Sequence, residues 1–164
     1  MRLFSSALIG VHLCSFLFLL AQSPHYTKPM HTAKGTFEVT PKTQPANLEP
    51  LPSPLGRMAL EKKFTGDLEA ASHVEMLTAM TAVKGSAGYV AIEQVTGTLQ
   101  GRTGSFVLQH SGTMQAGSQQ LSVTVVPDSG TGQLTALEGK MTIRIEKGKH
   151  FYEFTYSIPD SHGE

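Results

Sequence analysis

A closed antiparallel barrel of about eight strands, all-β with little helix, is the fold this sequence predicts, and three observations predict it. Short apolar segments with period-two alternation recur between residues 35 and 158, the pattern of strands that bury one face. Turns rich in glycine separate them, GlnGlyArgThrGly at 100–104 and LysGlyLys at 147–149 among them, as hairpin connections require. Almost nothing else in the chain reads as a helix that could cover an open sheet, and eight strands leave two bare edges unless they close on one another. A two-sheet sandwich is the alternative, because it needs the same one-sided strands.

The elements follow in order. Seven of the nine prolines fall between Pro24 and Pro54, and proline removes a ladder donor, so this region holds little regular structure. One island survives in it, GTFEVT at 35–40, where Phe37 and Val39 alternate with Thr36 and Glu38. A surface loop over 41–56 leads to a second strand at 57–65, ended by Gly66 and Asp67. Residues 68–83 are ambiguous. Their Ala, Glu, Leu and Met content favours helix, whereas Val74 and Met76 alternate with His73, Glu75 and Leu77 as in a strand. Gly85 and the lack of any other helix decide for strand. Residues 89–99 and 105–114 then form the central hairpin, which cannot stand alone in water and must be covered by the other strands. Strands at 121–126, 140–146 and 151–158 complete the set; the second alternates Met141, Ile143 and Ile145 with Thr142, Arg144 and Glu146.

The N-terminus reads differently. Met1 and Arg2 precede an apolar run to Leu20, followed by Ala21 and Ser23, the layout of a secretory signal peptide. Residues 1–23 are therefore expected to direct export to the periplasm or beyond, with an uncleaved membrane anchor as the alternative because the run reaches the lower limit of a bilayer span. Residues 24–34 are expected as a flexible proline-containing linker, 35–159 as a single barrel domain and 160–164 as a disordered tail. Cys14, the one cysteine, lies in the leader, so cleavage removes all thiol chemistry. Lys+Arg and Asp+Glu both number 13; a chain with no net charge lacks the basic excess that nucleic acid binding demands.

No catalytic signature is present: the chain has no GxSxG, P-loop, HExxH or CxxC, and its glycine pairs precede no helix that would bind phosphate. The chemistry rests on isolated polar residues among apolar neighbours on one strand face. Glu93 shares its face with Tyr89, Ala91 and Val95, and His110 with Phe106, Leu108 and Met114. Glu75 beside Leu77 and Glu153 beside Phe151 are weaker cases of the same pattern. A carboxylate carried into an apolar interior must be paired, hydrogen-bonded or protonated, which makes it a candidate acid or base. His73 and Glu75, two apart on one strand, could offer two metal ligands, but no strand supplies a paired set to complete them, so neither metal nor cofactor is expected.

At the hairpin the sequence resembles a known family. The strings KKFTGDL (62–68), EML (75–77), GSAGYVAIE (85–93), GRTGSFVLQHSGTM (101–114) and VVPDSGTG (125–132) are similar to those of the bacterial domain of unknown function 3224, over about residues 36–158. The chain departs from that family's pattern near Val74 and Asp128, where the family carries glycine. The resemblance implies an antiparallel barrel akin to the allene oxide cyclase-like barrels, in keeping with the allene oxide cyclase-like or lipocalin-like cylinder that the strand count predicts. It implies no reaction, since fold does not transfer activity.

The expected function is binding of a small apolar or amphipathic molecule inside the barrel, with Glu75, Tyr89, Glu93, Phe106, Leu108 and His110 as candidate lining. Two alternatives stand beside it. One is an isomerase or cyclase acting on a hydrophobic substrate, with Glu93 as base or cation stabiliser and His110 as acid or donor. The other is a filled barrel that serves as an oligomerisation module, possible as a homo-oligomer. A membrane is a partner only if the leader stays attached.

Overall fold

The computed structural model describes residues 28–42, 52 and 54–159. Eight strands follow one another round a closed barrel: β1 (Met30–Lys42), β2 (Leu55–Gly66), β3 (Leu68–Met80), β4 (Ala87–Leu99), β5 (Arg102–Gln115), β6 (Ser118–Val125), β7 (Glu138–Glu146) and β8 (Lys149–Ser157). Each lies antiparallel to the next, and β8 returns to β1 with Ser157 opposite Met30 and His150 opposite Phe37. That last ladder closes the cylinder, so the arrangement is a barrel and not a sandwich. The described residues contain no α-helix; one 3₁₀ turn, Gly132–Leu134, is the only helical element among them.

The ambiguous segment is strand β3, which turns Leu68, Ser72 and Val74 inward between ladders to β2 and β4. Its helix-forming composition yields to the pairing on both sides. The first strand begins at Met30, so residues 30–34, expected as part of the linker 24–34, are sheet. They carry no legible apolar run, and it is the ladder to β8 and the fully buried Ala33 that make them strand. The signal peptide or anchor expected over 1–23 and the tail expected over 160–164 lie outside the described residues.

One junction differs from the rest. β6 and β7 share a single bridging pair, Thr124 and Lys140, whereas every other junction is a continuous ladder. After β6 the chain leaves the sheet and runs back along β5. There the Val126 amide donates to the Val107 carbonyl at 2.9 Å and the Thr131 amide to the Ser105 carbonyl at 2.8 Å. Side chains serve the outward amides of the same strand edge. Thr103 donates to Gln133 Oε1, Ser105 to Thr131 Oγ1 and Val107 to Ser129 Oγ, at 2.8, 3.0 and 3.1 Å. Strand-edge amides left without a ladder partner are satisfied in this way. Gly104 permits the approach, since a Cβ there would sit 2.1 Å from the Thr131 carbonyl oxygen. Asp128 takes a left-handed φ of 59°, a conformation aspartate tolerates better than most residues.

This segment seals one end of the barrel. Leu134 and Leu137 are fully buried there with Leu68, Leu99, Leu108 and Phe154. Phe106, Phe154, Tyr156 and His31 form a run of stacked rings with centroids 5.7, 5.3 and 5.3 Å apart. Polar tips are satisfied as aromatic residues with a polar handle require: the Tyr152 hydroxyl accepts from the Leu68 amide at 2.8 Å, and the Tyr156 hydroxyl donates to Gln100 Oε1 at 2.7 Å. A second, smaller apolar group around Leu60, Val74 and Ala91 occupies the opposite half, beside Val39, Met76 and Tyr89.

Candidate functional site

The alternation of β2 places Leu60, Lys62 and Phe64 on the inner face. β3 adds Ser72, β4 adds Glu93, and β5 adds His110. These four polar side chains meet near the middle of the barrel. Glu93 is wholly buried and His110 is 4 % exposed. Glu93 Oε2 accepts from Lys62 Nζ at 2.6 Å and from His110 Nε2 at 2.8 Å, and Glu93 Oε1 accepts from Ser72 Oγ at 2.5 Å. The lysine ammonium also lies 5.0 Å from the Phe37 ring centroid and 5.9 Å from that of Phe64, a cation–π setting that partly replaces lost water.

Burial on its own would push the Glu93 carboxyl up. The His110 bond, the Lys62 charge and bond and the Ser72 bond outweigh it and hold Glu93 below the ordinary carboxylate range. Glu93 is thus ionised, and an ionised carboxylate only accepts, so His110 carries its proton on Nε2 toward Glu93. The other nitrogen, Nδ1, makes no hydrogen bond within the described protein. The one sealed, unpartnered side-chain polar atom among the described residues is His31 Nε2, so His110 Nδ1 is open to the space above it.

That space is a cavity of about 410 Å³ opening at the end of the barrel opposite the sealed one. Its volume falls within the ~300–1,000 Å³ typical of small-molecule sites. Phe37, Val39, Leu60, Val74, Met76, Ala91 and Ile143 line it, with Lys62, Tyr89 and His110 as polar groups in its walls and Gln119, Gln120 and His150 nearer its edge. Small residues leave the room. Ala91 stands opposite His110, and Gly112 stands opposite Tyr89, whose ring occupies the place a Cβ would need at 2.2 Å. Burial, and then the charge of Glu93, raise the Tyr89 phenol above its usual value, so it remains an O–H donor at neutral pH.

The expected lining divides three ways. Tyr89 and His110 line the cavity, and Glu93 sits directly beneath it with all its contacts taken by protein. Phe106 and Leu108 belong to the filled half of the core and do not reach the cavity. Glu75 faces outward and accepts a 3.0 Å contact from His73, whose other ring nitrogen meets Glu61 at 3.2 Å. Those bonds, to Glu61 first and Glu75 second, raise the His73 pKa. Glu153 is also outside, 2.8 Å from Lys34. With His73 on the outer face and His110 inside, the two cannot share a metal, and no group of three or more potential ligands exists among the described residues. Lys62 and Ser72 were not anticipated. The signal for Lys62 was present, a lysine alternating with Leu60 and Phe64; a serine between Ala70 and Val74 carries none.

The molecule is thus an up-and-down eight-stranded barrel, sealed at one end, with an apolar cavity at the other that stands over a buried lysine–glutamate–histidine cluster. Residues 33–156 match the family model described as protein of unknown function (DUF3224), and the chain belongs to that family. It is similar to a crystal structure of a DUF3224 protein of unknown function from Shewanella oneidensis MR-1, at 55 % identity and a TM-score of 0.72, over 80 % of this chain and 100 % of that one. No curated protein matches.

Proposed function

We propose that the protein binds one small amphipathic molecule at the open end of its barrel. The apolar body lies against Val39, Leu60, Val74 and Met76, and a polar group rests on Lys62 and His110. One observation carries the reading: an apolar cavity of about 410 Å³ whose walls bring an ammonium and an imidazole together over a shared buried carboxylate. Buried charge is expensive even when paired, and an interior made only of aliphatic side chains would hold the barrel as well. Few convergent polar groups in an apolar cleft are what orients a ligand. The leader-like residues 1–23 support a site of action outside the cytoplasm, which N-terminal sequencing of the exported protein would test.

Native mass spectrometry of protein taken from its own host tests the binding. A co-purified small molecule is expected that leaves on denaturation and is lost from Ala91→Leu, where the added side chain fills the space above the cluster. Retention of the same molecule by Ala91→Leu would place it elsewhere and overturn the reading.

A further inference from the structure

We propose that the cavity floor is a proton-transfer site for carbonyl compounds, with His110 Nδ1 as the base and Lys62 as the donor to the carbonyl oxygen. The proposal rests on the ligand-site reading above and adds a reaction to it. Three features point to this chemistry and not to passive retention alone.

The first is orientation. A carboxylate fixing one imidazole nitrogen and leaving the other bare toward a cavity is the arrangement that prepares histidine to accept a proton. Glu93 does this through the 2.8 Å bond to Nε2, and as an ionised group with three protein partners it cannot itself act as the base. Glu93 is therefore a positioning residue, and the base is His110. The second is convergence: Lys62 Nζ and His110 Nε2 bond the same oxygen, Glu93 Oε2, and both side chains line the same cavity. A carbonyl oxygen drawn to the ammonium then lies close to the base that would take a proton from its α-carbon. The third is the apolar wall, which strengthens both interactions by excluding water.

The step balances without a co-reactant. The α C–H bond breaks and the proton goes to His110 Nδ1. The electron pair forms the C=C bond of an enolate, whose oxygen is held by the Lys62 ammonium. Once the proton on Nδ1 has exchanged with solvent, delivery of a deuteron to the same carbon gives isotope exchange, and delivery of a proton to a conjugated carbon gives a double-bond isomer.

2-Octanone in D₂O is the probe. At pH 8 its α-proton signals are expected to decay, by proton NMR, at least about tenfold faster than with free imidazole at the protein's concentration, as positioning of a base provides. His110→Gln keeps an amide N–H to bond Glu93 and should lose the exchange. In the unmodified protein 1-octanol, which fills the cavity without an acidic C–H, should suppress it. Nitrogen-15 shifts of His110 should report a proton on Nε2 and none on Nδ1, and Glu93→Gln should disturb that assignment. Perturbation of the Val74 and Ile143 methyl signals by 2-octanone without exchange, exchange that survives His110→Gln, or the opposite tautomer each overturns proton transfer while leaving the ligand site standing. No perturbation of those methyl signals overturns the carbonyl-site proposal and counts against the cavity reading as well.

Discussion

The two ends of this barrel are made from the same eight strands with the same alternation, and they differ in what the inward positions hold. At the sealed end the inward residues are large, Phe106, Phe154, Leu99 and Leu108, and a returning segment adds Leu134 and Leu137. At the open end Val39, Val74, Ala91 and Gly112 stand among larger residues such as Leu60 and Met76, with charge at the floor. Strand geometry thus sets the cylinder, and side-chain volume decides which half is solid. One half supplies stability, and the other forgoes part of it to keep a space.

Three measurements would break or sharpen that contrast. The largest effect belongs to packing and charge together. Phe154→Ala in the solid half and Glu93→Ala at the floor should each lower unfolding free energy by about 3–5 kcal/mol, the first through a cavity and the second by stranding the Lys62 ammonium. Replacing both charges, Lys62→Met with Glu93→Leu, should recover most of that loss, because neither ion is then buried alone. Urea unfolding of the three variants decides it; a double variant as unstable as Glu93→Ala would mean the cluster holds the fold in some other way. Next comes Met76→Ala in the cavity wall, expected to cost under about 1.5 kcal/mol because the side chain is only partly buried and already borders space. A cost equal to that of Phe154→Ala would erase the distinction between the halves.

The smallest effect is the response to acid. Glu93 has a folded pKa below its unfolded value, so its contribution is fully present above the unfolded carboxylate range, about 4.3, and is lost as pH falls through the lower folded value. The urea midpoint should therefore drop below about pH 4 more steeply in the native protein than in the Lys62→Met, Glu93→Leu variant. Parallel curves would remove Glu93 from the acid response.

Most of the cylinder was legible because period-two alternation, as in Phe37 and Val39 or Met141 and Ile143, directly reports a half-buried strand. The apolar neighbours of Glu93 and His110 marked them as candidates, and it is the ladders of β4 and β5 that turn those faces inward. What was not legible depends on neighbours brought from afar. Residues 30–34 are strand only because β8 lies beside them. Glu75 was a weaker candidate of the same kind as Glu93, and its parity in β3 turns it outward to His73. Phe106 and Leu108 share a face with His110, yet sit deeper along the axis, and the depth of the fill depends on the irregular segment from Val126 to Leu137, whose hydrogen bonds to β5 no periodicity announces.

The lone bridge between Thr124 and Lys140 has a mechanical consequence. Separating β6 from β7 breaks fewer main-chain bonds than parting any other two neighbours, so the cylinder unzips there first. Leu121 on one side and Ile143 and Ile145 on the other belong to the chamber wall. The wall of the chamber is therefore least tied by main-chain bonds along that seam.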